Sequence, residues 1–136
     1  MELEAQLASV PLLAGLDDRV RRRLAQIGKR RTYAAGETIV EEGEKGVALY
    51  VILSGRVRVE RSGEALGELG PGDFFGELAL IEDEPRSATV IAVDETECIL
   101  FVAWEFRALI KEQPQVAVPI MLALIERLHR RERHGS

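Results

Sequence analysis

Short runs of alternating polar and apolar residues, separated by glycines, fill the middle of the chain from about residue 32 to residue 102. The clearest run, residues 56–61, places two valines on one face and charged side chains on the other. A period of two is typical of β-strands, and glycines permit the tight turns between them. Short strands with a turn about every 8 to 12 residues favour an antiparallel sandwich or barrel.

Four other segments have strand character: residues 48–53, 65–69, 88–92 and 98–102. The first of these is almost entirely apolar and is bounded by Gly46 and Gly55. Ser62 and Gly63 separate two runs and are predicted to form a turn. Cys98 lies in an apolar strand, where we interpret it as an inert core residue.

The first 31 residues are predicted to be helical. Asp17 is a suitable N-cap for a helix whose apolar positions include Val20 and Leu24, and Gly28 is a natural C-cap. Basic side chains are frequent between residues 21 and 31. We interpret them as a solvated face, and a docking surface for an acidic partner is the alternative.

Helical periodicity returns in residues 103–136. Trp104, Ala108 and Ile110 are predicted to face inward on a short helix that ends before Pro114. The last helix has a broad apolar face and a basic C-terminal end, which suits the helix dipole. Pro119 is expected either to start this helix or to kink it.

Composition excludes several classes of protein. The chain of 136 residues fits one domain, and its one cysteine cannot form an internal disulfide, which favours the reducing cytoplasm. Both histidines lie in the final eight residues, so a histidine metal centre or a Ser-His-Asp triad within the fold is not expected. A net charge of −5 disfavours general nucleic-acid binding. The sequence contains neither a transmembrane run nor a signal peptide.

Residues 72–90 carry the most specific chemistry. Gly76 permits an unusual backbone conformation, and residues 77–81 have room for about one helical turn whose free N–H groups would attract an anion. Arg86, flanked by Pro85 and an apolar strand, is expected to point toward the interior, where a guanidinium requires an anionic partner. Glu77 could be that partner in a structural ion pair, or a bound phosphate could match the arginine fork, with Ser87 adding a hydroxyl.

This segment resembles the phosphate-binding cassette of the cyclic nucleotide-binding domain family. The matching residues are Phe75-Gly76-Glu77-Leu78-Ala79-Leu80-Ile81 and Pro85-Arg86-Ser87-Ala88-Thr89-Val90. Supporting matches are Gly36-Glu37-Thr38-Ile39, Gly43, Tyr50-Val51-Ile52, Gly55-Arg56-Val57 and Gly72-Asp73. The family has bacterial cAMP-receptor and cyclic-nucleotide-gated channel types, which this chain resembles most.

The resemblance implies a mainly β fold with flanking α-helices, namely an antiparallel jelly roll (a double-stranded β-helix). A single domain would cover residues 1–136, with N-terminal helices in 1–31, the β-roll in 32–102, the cassette in 75–90 and C-terminal helices in 103–136. The last of these helices would act as a lid.

The resemblance also implies a role for individual residues. Glu77 would accept a hydrogen bond from the ribose 2′-hydroxyl, Arg86 would pair with the cyclic phosphate, and Gly76 would let the ribose approach the chain. The other implied residues are Leu78, Ala79, Ser87 and Ala88 around the phosphate, Val59 and Leu66 beside the base, and Met121, Leu124 and Ile125 on the lid. The lid is apolar where family members often carry a polar residue, and Pro119 departs from a smooth helix.

We therefore expect a cytoplasmic, non-catalytic sensor without a metal or cofactor. Its ligand would be cAMP in preference to cGMP, because serine follows the arginine directly, as in bacterial cAMP receptors of the family. The module would serve a channel, kinase or regulator, or a homodimer, and would not itself bind nucleic acid. Alternatives are an interaction domain of the same fold that binds no nucleotide, and a cupin-type metal enzyme, for which the strands lack histidine.

Overall fold

The computed structural model of the protein describes residues 2–76 and 86–133. In this part of the chain, strands form two antiparallel four-stranded sheets. The strands are β1 (Lys29–Tyr33), β2 (Thr38–Val40), β3 (Ala48–Ser54), β4 (Val57–Arg61), β5 (Glu64–Leu69), β6 (Phe74–Phe75), β7 (Thr89–Ala92) and β8 (Thr96–Val102). The first sheet has the order β1-β8-β3-β6 and the second has the order β2-β7-β4-β5. The predicted antiparallel jelly-roll sandwich is confirmed.

Helices precede and follow the strands. They are α1 (Glu2–Ala8), α2 (Pro11–Ala14), α3 (Asp18–Ile27), α4 (Ala103–Glu112) and α5 (Ala117–Arg133), with a 3₁₀ turn at Pro114–Val116. Within the described residues no single helix has the length and hydropathy to cross a bilayer, and α4 with residues 114–126 passes that test only as a pair bent by 119°.

Strand β3, in the middle of the first sheet, is buried on both of its faces over residues 48–52, which explains why its sequence there is apolar. Leu49 and Val51 point to the helices, where they pack with residues such as Leu24 and Phe106. Their neighbours along the strand, including Tyr50, point to the second sheet. Successive side chains of a strand alternate between faces, so one strand contributes to both hydrophobic clusters.

The helix α3 begins as predicted. The Asp17 carboxylate accepts a hydrogen bond from the Val20 N–H at 3.0 Å, and Val20 and Leu24 are buried. The prediction that the helical region extends to residue 31 was wrong, because β1 begins at Lys29. Residues 29–32 are exposed on this edge strand, so its sequence has no apolar period that would indicate a strand.

The register predicted for α4 was also wrong. Trp104 is 67% exposed and Ala108 is exposed, whereas Phe106 and Leu109 are the buried side chains. Ile110 packs at the edge of the core as a partly buried residue. The strand β8 runs directly into α4, whose first residue, Ala103, is buried and donates its N–H to the Val47 carbonyl oxygen at 2.7 Å.

The last helix has two apolar faces. Ile120 and Leu124 pack on the helical cluster, whereas Met121 and Ile125 are 56% and 48% exposed. The helix α5 begins at Ala117, and Pro119 lies in its first turn, where the N–H that proline lacks has no partner within the helix.

The turn predicted at Ser62 and Gly63 is confirmed between β4 and β5. Both residues have positive φ, of 52° and 82°. A two-residue hairpin turn with positive φ at both positions matches the right-handed twist of the paired strands.

Candidate functional site

The guanidinium of Arg86 lies between the start of β3 and the end of β6. Arg86 is partly buried, and its Nη2 donates to the Ala48 carbonyl oxygen at 3.0 Å. Its Nη1 lies 3.5 Å from the carbonyl oxygen of Gly76, a longer and weaker contact. Backbone carbonyls orient a guanidinium without contributing a full negative charge.

An aromatic pair supports the same side chain. The Cζ atom of Arg86 is 5.6 Å from the centre of the Tyr50 ring, within the range of a cation–π interaction. The Tyr50 ring in turn stacks on Phe75 with centroids 4.8 Å apart and planes inclined by 8°. Burial raises the pKa of the Tyr50 hydroxyl, and the positive charge of Arg86 opposes that shift.

The backbone of Arg86 is tied to the loop before β3. Its N–H donates to the Glu44 carbonyl oxygen at 2.6 Å, and its own carbonyl oxygen accepts from the Gly43 N–H at 2.9 Å. Gly76 has a φ of 81°, a left-handed conformation that favours glycine and was expected from the sequence.

The residues after Arg86 lead into β7. Ser87 is exposed and Ala88 is partly buried, and their predicted roles at the phosphate stay predictions. The Ser87 carbonyl oxygen accepts a hydrogen bond from Nε of Arg61 at 3.0 Å. A second cation, Arg61, is therefore hydrogen-bonded to the backbone of the residue that follows Arg86.

Three of the predicted site residues, Glu77, Leu78 and Ala79, lie outside the described residues. Their predicted roles toward ribose and phosphate stay predictions.

The two residues predicted to line the base lie on neighbouring strands. Val59 on β4 is partly buried and packs against the cluster between the sheets. Leu66 on β5 is 52% exposed and lies where the β4–β5 pairing shifts register. Leu66 belongs to neither hydrophobic cluster. Its exposed apolar side chain is therefore available to a ligand.

The predicted lid residues do not share one environment. Leu124 packs on the helical cluster, whereas Met121 and Ile125 form part of the exposed face of α5. The helix itself contacts α2 and the 3₁₀ turn. A groove of about 410 Å³ lies between α1 and the β3–β6 pair, and its walls include Gln6 and Pro71 but none of the predicted site residues.

Sequence reasoning missed the groups that hold Arg86. In the sequence, Gly46 marks a strand boundary and Tyr50 is part of the family resemblance, and the acceptor at Ala48 is a backbone carbonyl. Every residue carries such a carbonyl, so no pattern of side chains could have indicated it. Arg61 sits at the end of an alternating strand, where a charged residue is expected on any solvated face.

Comparison with known proteins shows to which family the chain is similar. The model of the cyclic nucleotide-binding domain matches residues 30–113. The cyclic AMP receptor protein of Thermus thermophilus is 38% identical over 105 residues, which cover 74% of this chain and 49% of that protein. A cyclic nucleotide-gated potassium channel of Rhizobium etli is 36% identical over 121 residues, which cover 89% of this chain and 34% of the channel.

Solved structures give the same result. The crystal structure of the Thermus thermophilus catabolite activator protein superposes with a TM-score of 0.81 at 35% identity, over 91% of this chain and 61% of that one. The chain spans about half the length of the Thermus receptor and about a third of the Rhizobium channel. The resemblance found in the sequence is confirmed: the chain belongs to the cyclic nucleotide-binding domain family.

Proposed function

We propose that this chain is a sensor module for cAMP, in which Arg86 binds the cyclic phosphate. The observation that carries the proposal is the placement of Arg86, whose guanidinium is partly buried and oriented by Ala48 and Tyr50. An oriented arginine fork matches two phosphate oxygens at once, and burial strengthens its charge-assisted hydrogen bonds.

For the rest of the shell, the proposal takes the residues that the sequence resemblance implies. Glu77 would accept from the ribose 2′-hydroxyl, and the Ser87 hydroxyl with N–H groups near Leu78, Ala79 and Ala88 would surround the phosphate. Gly76, with its left-handed backbone, would let the ribose approach. Val59 and Leu66 would contact the base from one side.

The preference for cAMP over cGMP rests on two supports. Serine follows Arg86 directly, and a relative at 38% identity is named a cyclic AMP receptor protein. The module is non-catalytic and works in the cytoplasm, where its buried Cys98 stays reduced. In a longer protein, its output would be a channel, a kinase or a transcriptional regulator.

The response to ligand is a population shift of the last helix. A nucleotide moves α5 only if it binds one position of the helix better than the other. Met121 and Ile125 are exposed and apolar, so covering a bound base with them would remove apolar surface from water. Leu124, packed on the helical cluster, would have to leave that contact or act as the pivot.

Titration calorimetry with cAMP and with cGMP tests the proposal. We expect binding of cAMP to the native chain and a loss of about tenfold to a hundredfold in affinity for Arg86→Ala, because each charge-assisted hydrogen bond contributes about 1.5–3 kcal/mol. The matched control is Arg58→Ala, since Arg58 pairs with Glu60 at 2.6 Å on the surface of β4. The affinity of Arg58→Ala for cAMP should stay within about threefold of the native value.

Two outcomes would contradict the proposal. Equal losses for Arg86→Ala and Arg58→Ala would remove Arg86 from the phosphate site. No heat of binding with either nucleotide would favour the alternative function, an interaction domain of this fold that binds no nucleotide.

A further inference from the structure

The loop before β3 contacts both the backbone and the side chain of Arg86. Glu44 and Gly43 hold the N–H and the carbonyl of residue 86 through hydrogen bonds of 2.6 and 2.9 Å. Two hydrogen bonds to one residue fix where its Cα lies and therefore where its side chain starts. The loop is itself anchored, since the Glu42 N–H donates to the Thr89 hydroxyl at 3.0 Å.

Gly46, at the end of this loop, leaves the space that the guanidinium fills. A Cβ added at Gly46 would lie 2.7 Å from Cζ and from Nε of Arg86, and 2.9 Å from Nη1. Those distances are far below van der Waals contact, so the guanidinium could not keep its position beside an alanine.

The backbone does not explain glycine at this position. Gly46 is not among the residues with positive φ, so an alanine could adopt its conformation. Gly76 differs, because its φ is 81° and its added Cβ would also lie 2.7 Å from the Ala48 carbonyl oxygen. A substitution at Gly46 therefore reports on Arg86, whereas one at Gly76 would also strain the chain.

Two other groups hold the guanidinium where it lies. Tyr50 and the Ala48 carbonyl also contact it, so a shift away from a Cβ at Gly46 would disturb these two contacts. The far end of an arginine is flexible, and the whole group would swing out instead. The fold would remain and the orientation of the guanidinium would be lost.

From these contacts we propose that Gly46 is a positioning residue for Arg86, and that the loop of residues 43–46 sets the direction in which this arginine presents its charge. The inference rests on the proposed function in taking the presented ligand to be a cyclic nucleotide phosphate. The steric relation between the two residues stands without the ligand, and it can be measured without one.

A double-mutant cycle tests the proposal, with Gly46→Ala, Arg86→Ala and the double variant compared with the native chain. In cAMP titrations, Gly46→Ala should weaken binding about tenfold or more, and should add less than about threefold when Arg86 is already alanine. The control is Gly70→Ala, since nothing lies within 4 Å of the added Cβ and Gly70 has no positive φ. Its affinity should not change.

Thermal unfolding of the same four proteins without nucleotide gives the second readout. Gly46→Ala should lower the melting temperature when Arg86 is present and should leave it unchanged or raise it when residue 86 is alanine, because alanine restricts the unfolded chain. If Gly46→Ala fails to fold, recovery of folding in the double variant supports the proposal.

The failures of the two proposals are distinguishable. Absence of nucleotide binding by the native chain overturns the proposed function, and the unfolding cycle then decides the role of Gly46 alone. Additive effects in that cycle, or a double variant that also fails to fold, would make Gly46 a general structural residue and would overturn the positioning role.

Discussion

At the scale of single residues, the sequence predicted which side chains belong to the candidate site, but not which groups contact them. Arg86 and Gly76 were predicted as site residues, and the structure brings them together with Ala48 and Tyr50. Tyr50 lies 36 positions before Arg86 in the chain, a separation that no local pattern bridges. A sequence shows where charged residues and glycines lie, whereas the fold decides which backbone carbonyl accepts a hydrogen bond from the arginine.

Cys98 is a residue whose environment determines its chemistry. It is fully buried between the sheets, and burial with the neighbouring Glu97 raises the pKa of its thiol to about 12. The thiolate is the reactive form, so we expect a thiol reagent to modify the native protein far more slowly than the unfolded one. Reaction with Ellman's reagent in buffer and in denaturant measures this, and equal rates would contradict it.

The same shift predicts how stability changes at alkaline pH. The folded pKa lies above the unfolded value of 9.0, so the contribution of Cys98 is complete below about pH 9 and is lost as the pH rises through about 12. Urea unfolding at about pH 8 and about pH 10.5 should show a larger decline for the native chain than for Cys98→Ala. Burial also raises the pKa of Tyr33 to about 12, and Cys98 adds to that shift, so the difference between the two proteins reports Cys98 together with its interaction with Tyr33.

At the scale of elements, the strands with an apolar period were predictable, whereas the exposed edge strand β1 and the short strands β2 and β6 were not. A strand buried on one or both faces carries a pattern, whereas β1 has exposed side chains over most of its length. The helix α3 was predictable because Asp17 caps it and its apolar positions recur along one face. The register of α4 was missed because apolar residues occur on both of its faces.

Gly28 joins α3 to β1, and its role is packing. It was expected to be a helix C-cap, which is its position, yet its φ is −73° and its backbone does not require glycine. A Cβ there would lie 2.4 Å from Cδ1 of Ile99 and 3.0 Å from Cε1 of Phe101. The helix can lie this close to β8 only because the side chain is missing.

We expect Gly28→Ala to lower the free energy of unfolding by about 1–3 kcal/mol, since the added methyl would overpack the contact with the buried Ile99 side chain. Gly15→Ala is the control, because nothing lies within 4 Å of its added Cβ. It should change stability by less than about 0.5 kcal/mol. Urea unfolding measures both, and equal effects would show that the contact with Ile99 relaxes freely.

At the scale of the whole molecule, β3 connects the candidate site to the helical side. Tyr50 faces the second sheet and contacts Arg86, whereas its neighbours Leu49 and Val51 pack in the cluster that includes Ile120 of α5. The sequence predicted the sandwich and its flanking helices. It could not predict that one strand would contribute both to the site and to the core beneath the last helix.

Ligand binding should therefore stabilise the whole fold. At a free cAMP concentration of about 100 times Kd, mass action adds about 2.7 kcal/mol to the free energy of unfolding. For a domain of this size, the melting temperature should rise by several degrees. Differential scanning fluorimetry measures this for the native chain and for Arg86→Ala, which should respond only at much higher concentration. An equal rise in both would mean that cAMP binds elsewhere.

The outward position of Trp104 gives the molecule a built-in optical probe. It is the only indole in the chain, it is 67% exposed, and it occupies the first turn of α4. The preceding residue, Ala103, donates its N–H to the Val47 carbonyl at 2.7 Å, directly beside Gly46. We expect a rearrangement that passes from the loop of residues 43–46 into α4 to change the solvent around this ring, so intrinsic fluorescence can follow it without a label.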